Sequence, residues 1–271
     1  MGVNVRSRFV RTAAAILAVY ISSVGASVGI PETECQQSQI VGSSIRAQSS
    51  QIDRASVELS ARLGDRASQV VLGMLLGEDG IPWLERAAEQ GSIFAVKLLH
   101  IHFASKGVLA KDPEAREGFQ RLAVHWAQEG VRRDDMDMQR WLGDYFFGGR
   151  GLPKDQAAAF QWWRKAAEKG SLLAQSSLSK ALFEGPSTEL NYVEALKWGL
   201  LVQQRSPSAS FASAHIAHLP ALKKRMSNPE IALSEDTARD WLSTFQVRET
   251  AKHNANEREC GIREFDKALV H

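Results

Sequence analysis

The sequence has little of what marks several large protein classes. It has two cysteines in 271 residues, too few for a small protein held together by disulfides. With 20 glycines and 8 prolines, it is neither collagen-like nor of low complexity. It also lacks a strong charge bias, with 33 basic against 31 acidic residues, whereas a nucleic-acid-binding domain normally carries a clear basic surplus. What remains is 44% hydrophobic residues, enough for a globular core.

Motifs of catalysis are also missing. The chain has no Gly-x-Ser-x-Gly elbow, Walker-type loop or dinucleotide fingerprint. His100 and His102 are two residues apart on a predicted helix and point in different directions, unlike the i, i+4 pair of metalloproteases. His215 and His218 have no acidic or cysteine partner nearby, and the acidic cluster at 134–137 is better explained as a solvated loop than as a weak calcium site. We therefore predict no enzyme, no metal and no cofactor.

Long hydrophobic runs are absent except near the start. Arginines end at Arg11, an apolar stretch runs from Thr12 to Ile21, and small residues follow. This order is typical of a secretory signal peptide, and Val24 and Ala26 fit the −3 and −1 positions of a cleavage site after Ala26. An uncleaved anchor is the alternative, although the apolar stretch is shorter than the ~20 residues that span a bilayer. The mature chain is then expected to be soluble in the periplasm or secreted.

The expected export changes the net charge of the mature chain and the redox environment of its two cysteines. Without the three arginines of the leader, the chain has 30 basic and 31 acidic residues. Cys35 and Cys260 lie near the two ends of the mature chain, in a compartment where disulfides persist. A bridge between them is one candidate, and two separate thiols is the other.

A repeat is the main feature of the sequence. The segment 87–91 (AAEQG) recurs at 126–130 (WAQEG) and at 166–170 (AAEKG), with glycines 39 and 40 residues apart, and Leu72-Gly73 recurs as Leu142-Gly143. A fixed period of this size is typical of a solenoid of helical hairpins.

The third unit shows how each repeat divides into two helices. Its pattern predicts a first helix over 138–147 and a second over 155–169, with Asp155 as the N-cap and Gly170 as the C-cap. In the second helix, apolar residues recur at i, i+3, i+4 and i+7 and share one face. Because neighbouring hairpins would cover this face, we predict a structural core that includes Leu72, Trp83, Trp126, Leu142, Gly143, Trp162 and Trp198.

These residues carry a family resemblance. The third unit resembles the Sel1-like repeat, a relative of the tetratricopeptide repeat. The residues that carry the resemblance are Leu142-Gly143-Asp144-Tyr145, the turn from Gly148 to Gly151, Pro153-Lys154-Asp155, Trp162-Trp163 and 165–170. Weaker units lie at 68–91, 93–130 and 174–206. The first is shortened, and the second carries extra residues at 112–117.

The sequence thus predicts an all-α, right-handed α-solenoid of about four Sel1-like hairpins with a C-terminal helical cap. The predicted divisions are a signal peptide (1–26), a polar linker (27–52), the solenoid (53–206) and capping helices with a tail (207–271). In the cap, a helix interrupted at Pro220 precedes one that opens at Asn228, whose apolar face includes Trp241 and Phe245.

The resemblance implies a scaffold or adaptor that binds a partner protein or peptide on the solenoid surface. Charged first-helix positions are the candidate contacts: Lys97, Arg140, Asp144 and Lys180. Two alternatives remain. One is an immunity or inhibitor protein against a toxin that acts in the periplasm, and the other is a β-lactam-binding or hydrolysing enzyme, although the paired cysteines of such relatives are missing here.

Overall fold

The computed structural model describes residues 54–185, 190–206 and 208–269, with side chains as far as residue 252. These residues form twelve α-helices and one 3-10 turn, without a β-strand, so the predicted all-α class is confirmed. The predicted signal peptide (1–26), the linker (27–52), Cys35 and the side chain of Cys260 all lie outside the described part.

The chain divides into two compact units, Met1–Ser92 with Val247–His271, and Ile93–Gln246. In the first unit the N-terminal helices are α1 (Arg54–Arg62), α2 (Arg66–Leu76) and α3 (Ile81–Glu89), with the 3-10 turn Gly77–Gly80 between α2 and α3. The helices that begin in the second unit are α4 (Ile93–Leu109), α5 (Pro113–Arg132), α6 (Met136–Gly148), α7 (Gln156–Glu168), α8 (Leu172–Glu184), α9 (Tyr192–Arg205), α10 (Ala209–His215), α11 (Leu219–Lys223) and α12 (Asn228–Leu269). The last helix, α12, passes from the second unit into the first.

Helix starts follow the capping rules. A side-chain oxygen at the N-cap accepts a backbone N–H of the first turn at seven helices, through Asp65, Asp112, Asp135, Asp155, Ser171, Asn191 and Ser208. The predicted cap Asp155 is confirmed, since Ala158 N–H donates to Asp155 Oδ1 at 2.9 Å.

The second unit is a series of helical hairpins. Helix α4 packs on α5, α6 on α7 and α8 on α9, and α5–α6 and α7–α8 contacts join one hairpin to the next. Two apolar clusters form its core, one centred on Leu142 and Tyr145 and the other on Leu178 and Trp198. In the following text the hairpins α2–α3, α4–α5, α6–α7 and α8–α9 are numbered first to fourth along the chain, and the earlier helix of each is its first helix and the later its second.

A buried glutamine recurs at one position of the first helices. Gln69 Nε2 donates to Ala61 O at 3.2 Å, and Gln175 Nε2 donates to Ala167 O at 3.1 Å. Both carbonyls lie near the C-terminal end of the preceding helix, where the last helical carbonyls have no partner within the helix. The glutamine therefore ties each helix to the end of the helix before it.

The repeat register differs from the predicted one at Gly130. The turn just before each first helix contains a residue with positive φ. This residue is a glycine at Gly64, Gly91 and Gly170, but before α6 it is Asp134, with φ of 60°. Gly130 instead lies inside α5, where a Cβ would collide with Met138. The alignment of Gly130 with Gly91 and Gly170 is therefore wrong. The turn after α5 lies four residues later than the repeat suggested, at Asp134 instead of Gly130, so the turn positions 91, 134 and 170 are 43 and then 36 residues apart.

The tryptophan positions also need correction. Trp198 is fully buried, as predicted, whereas Trp83, Trp126 and Trp162 are only half-buried. In α7 it is Trp163, 4% exposed, that enters the core. One residue is 100° of helix rotation, so the two adjacent tryptophans point in different directions, and Trp162 packs against the Leu142 cluster while only partly buried.

The predicted Leu-Gly pairs have a clear packing role. Leu72 and Leu142 are buried, and the glycine after each receives a side chain of the second helix. A Cβ on Gly143 would lie 2.5 Å from Trp163 Cδ1, and one on Gly73 would lie 2.6 Å from Leu84 Cγ.

After α9 two short helices take the place of a further hairpin, and Pro220 lies in the first turn of α11 rather than interrupting a single helix. Helix α12 begins at Asn228 as predicted, with Ser227 N–H donating to Glu230 Oε2 at 2.8 Å. In this helix Trp241 Nε1 donates to Glu168 Oε2 at 2.8 Å, and its ring stacks on Phe245. Because the glutamate ends α7, this bond fastens α12 to the third hairpin.

Candidate partner-binding face

One stripe of each first helix in the second unit is left partly or fully exposed. Its residues follow i, i+4, i+7, i+11, the spacing of one helix face. They are Phe94, Leu98, Ile101 and Ser105 in α4; Asp137, Trp141, Asp144 and Gly148 in α6; and Leu173, Ser177, Lys180 and Glu184 in α8. We call these twelve residues the first-helix stripe.

The stripe is rich in apolar side chains for an outer surface. Ile101 is 43% exposed and Leu173 38% exposed, and Phe94, Leu98 and Trp141 are half-buried. Solvent-facing helix positions are usually polar, and apolar and aromatic residues that stay accessible are typical of interaction surfaces. The sequence prediction named only charged residues and missed these, although the i, i+4, i+7 spacing was there to find them.

Three of the four predicted contact residues are not free surface charges. The Lys97 ammonium forms ion pairs with Asp135 at 2.8 Å and Asp137 at 3.0 Å, with only 15% of its side chain exposed. Arg140 is 9% exposed, and its Nη1 donates to Asp144 Oδ2 at 2.6 Å. We therefore correct their role: Lys97 ties α4 to the start of α6, and Arg140 lies within α6.

Asp144 has a second bond that fixes it. Trp163 Nε1 donates to Asp144 Oδ1 at 2.8 Å, so the carboxylate is held by Arg140 from its own helix and by an indole from α7. Burial raises the pKa of Asp144, and the nearby Arg140 opposes that rise. The first and second helices of the third hairpin are thus linked through a polar contact as well as through the core.

His100 joins α4 to α6 below the stripe. Its Nε2 lies 3.0 Å from the Tyr145 hydroxyl, and its ring lies 5.1 Å from that of Trp141. Burial, helped by the positive charge of Arg140, lowers the pKa of His100 to about 4, so the ring is neutral at pH 7. Burial also raises the pKa of Tyr145 to about 12. The predicted packing role of His100 fits this site, whereas His102 lies half-buried on another side of α4.

Lys180, the fourth predicted contact, is the exposed one. Its side chain is 65% exposed, and its Nζ stands 3.9 Å from Glu184. Near it, His218 stacks on Phe183, and Arg225 lies over the Phe183 ring at 4.9 Å. The segment 218–225 therefore packs beside the end of α8, which brings Arg225 to the same part of the molecule as Lys180.

Ser179 and His218 have the contact that a nucleophile and its base would make. Ser179 Oγ is 2.8 Å from His218 Nε2, but the hydroxyl is fully buried and donates its proton to Ala195 O at 2.7 Å. A nucleophilic serine instead passes its proton to the base and is accessible to substrate. This pair fastens α11 to α8.

Within the described part of the chain, no group of three or more His, Cys, Asp or Glu residues is arranged to hold a metal ion. None of the helices described there has the length and apolar character to cross a membrane.

Comparison with known proteins places the repeats. The family model for the Sel1 repeat matches residues 68–92, 137–171 and 172–200, which are three of the four predicted units. The α4–α5 hairpin is not among the matched segments, and its helices of 17 and 20 residues are longer than the 13 residues of α6 and α7.

Two crystal structures are similar. One is a protective antigen of uropathogenic Escherichia coli strains that displays an SLR fold, with 20% identity, a TM-score of 0.46, and 74% of this chain and 50% of that chain covered. The chain thus spans half the length of the antigen. The other is a Sel1 repeat protein from Oxalobacter formigenes, with 22% identity, a TM-score of 0.49, and 69% of this chain and 78% of that chain covered. The matched segments show that the chain carries Sel1 repeats, and its described residues fold as the helical hairpins of an α-solenoid.

Proposed function

We propose that this protein is a periplasmic scaffold or adaptor that binds a partner protein or peptide on the first-helix stripe of α4, α6 and α8. Sel1 repeats generally mediate protein–protein interaction. The observation that carries the proposal is that each of these first helices keeps an apolar side chain at least partly accessible, Ile101 in α4, Trp141 in α6 and Leu173 in α8. The proposed activity is reversible binding, in which no covalent bond is formed or broken.

The hairpin packing supports this assignment. Helices α4 and α6 are fixed by the ion pairs of Lys97, by the His100–Tyr145 contact and by the Asp144–Trp163 bond, and α8 is tied to α7 by Gln175. A surface held in place before binding loses less side-chain freedom when a partner docks. The stripe therefore offers a rigid binding surface.

A photo-crosslinking amino acid tests the location. We place it at Ile101 or Leu173 of the mature chain, and at Gln161, an exposed residue of the second helix α7, as the matched control. Both stripe positions are expected to crosslink the same envelope protein, and Gln161 is expected to crosslink none. Equal crosslinking at Gln161 would contradict the proposed face.

Export is part of the proposal and rests on the arginines, apolar stretch and Val24-x-Ala26 site of the leader. The mature N-terminus is expected between Ser27 and Ile30, and osmotic shock should release the protein. Recovery of the full-length chain in the membrane fraction would contradict a cleaved leader.

A further inference from the structure

We propose that the cationic groups of Lys180, Lys223, Lys224 and Arg225 form a docking patch for an acidic segment of the partner protein. This rests on the proposed function, because Lys180 is a member of the first-helix stripe and the patch adds the charge of the partner beside it. We call these four residues the cationic patch.

The patch is held together by contacts between α8 and the segment that follows α9. Arg225 lies over Phe183 at 4.9 Å, and Phe183 stacks on His218. Lys180 is one helical turn before Phe183 and directly follows Ser179, whose Oγ lies 2.8 Å from His218 Nε2. Burial lowers the pKa of His218, the Glu184 carboxylate opposes that shift and Lys180 adds to it, so both charges lie near the ring. Residues from 180 and from 223–225 therefore belong to one surface region.

The negative groups around the patch compensate it only in part. Lys180 and Lys223 stand 3.9 Å from Glu184 and Glu235, and both pairs are well exposed. Exposed ion pairs contribute little, about 0 to 1 kcal/mol. These carboxylates therefore release their lysines to a partner at low cost.

The other two cations form no ion pair with a described residue. Lys224 is exposed, and Arg225 is exposed and contacts the Phe183 ring. An arginine over an aromatic ring keeps its donors available for a carboxylate. The patch thus has four cations against two loosely held acids.

An acidic protein segment fits this surface better than a nucleic acid does. Nucleic-acid binding is normally accompanied by a basic surplus over the domain, while the whole chain carries a formal charge of only +2. A local patch on a nearly neutral protein that carries Sel1 repeats favours a partner protein with a matching acidic stretch.

The test uses a fluorescein-labelled octaglutamate peptide, with octalysine and a neutral Gly-Ser-Gln peptide as reference probes. The patch variant is Lys180→Glu with Lys224→Glu. The matched control is Lys111→Glu with Lys154→Glu, which changes the net charge by the same amount at two exposed residues elsewhere in the second unit. Fluorescence anisotropy measures binding by each mature chain, and circular dichroism checks that each variant is folded.

Octaglutamate is expected to bind the parent chain and the control variant, and the patch variant is expected to bind about tenfold more weakly or worse, as like charges meet. Binding should weaken toward about 0.15 M salt, where exposed charges are screened. Equal losses in both variants would show a general effect of net charge and would overturn the patch.

Two further probes test the class of partner. They are oligothymidylate and vesicles of phosphatidylglycerol and phosphatidylcholine. If either binds more tightly than octaglutamate, and its binding depends on Lys180 and Lys224 in the same way, the proposal of a protein partner is overturned. Crosslinking at Ile101 and Leu173 without any octaglutamate binding would overturn the patch and leave the proposed function intact.

Discussion

The indole Nε1 of Trp163 donates to Asp144 Oδ1 at 2.8 Å, so the buried tryptophan of α7 and a stripe residue of α6 are joined directly. A change at the core of the third hairpin therefore reaches its outer surface.

Trp163 is expected to matter more for stability than its neighbour. Trp163→Ala removes a side chain that is 4% exposed and should lower the free energy of unfolding by about 3 to 5 kcal/mol. Trp162→Ala removes a half-buried ring and should lower the free energy of unfolding by clearly less. Urea unfolding of both variants measures the difference. Equal losses of unfolding free energy would contradict the conclusion that Trp163, and not Trp162, is the buried tryptophan of α7.

Two glycines of α5 should respond in opposite directions to alanine. A Cβ on Gly130 meets Met138, so Gly130→Ala is expected to cost about 1 to 3 kcal/mol through overpacking. Gly118 has open space around it, so Gly118→Ala should stabilise by about 0.5 to 1 kcal/mol. Thermal unfolding reports both signs. A tolerated alanine at 130 would show that the side chain of Met138 does not pack tightly against this position.

Stability should fall on acidification because of His100. Its pKa is about 4 in the folded protein and ~6.5 in the unfolded chain, so the unfolded chain binds more protons between these values. The stabilisation is complete above pH 6.5, falls as the pH drops toward 4, and amounts to about 3 kcal/mol at most. Unfolding of the parent and of His100→Gln at several pH values measures this contribution. A parallel pH dependence in both chains would exclude His100 as its source.

Asp134 combines a strained backbone with useful side-chain contacts. Its φ is 60°, Gln139 Nε2 donates to its Oδ1 at 2.9 Å, and an ion pair with Lys169 lowers its pKa. Asp134→Asn keeps the Gln139 contact and tolerance of positive φ, so it should lose less stability than Asp134→Ala, which loses the bonds and tolerates this φ poorly. Melting temperatures of the two variants give the order, and a reversed order would show that neither contact contributes.

How far the sequence predicts this fold depends on the kind of signal. Capping residues and hairpin boundaries are local, and Asp155, α6 and α7 were found within two residues. The position of the turn after α5 was not found, because a glycine inside a helix and a glycine at a turn look alike in the sequence. Asp134 adopts the turn conformation although it is not a glycine.

The binding face was predicted less well for a similar reason. Charge alone does not show whether a lysine or an arginine forms an ion pair within the protein. Lys97 pairs with two aspartates at the start of another helix, whereas Arg140 pairs with Asp144 of its own helix. Only the exposure of its side chain in the structure separates Lys180 from them. The apolar members of the stripe follow a simple helical spacing, but the same spacing also describes core residues.

Trp241 contacts Glu168 at the end of α7, its ring meets that of Trp198 in α9, and Phe245 fills the space that a Cβ on Gly170 would need. Helix α12 thus touches elements of both the third and the fourth hairpin. In a repeat array held only by nearest neighbours, the terminal unit frays first and exchanges its amide hydrogens faster than the interior. Here the last two hairpins should open together, so amide exchange in α7 and α9 should show one shared protection level rather than a gradient toward the end of the array.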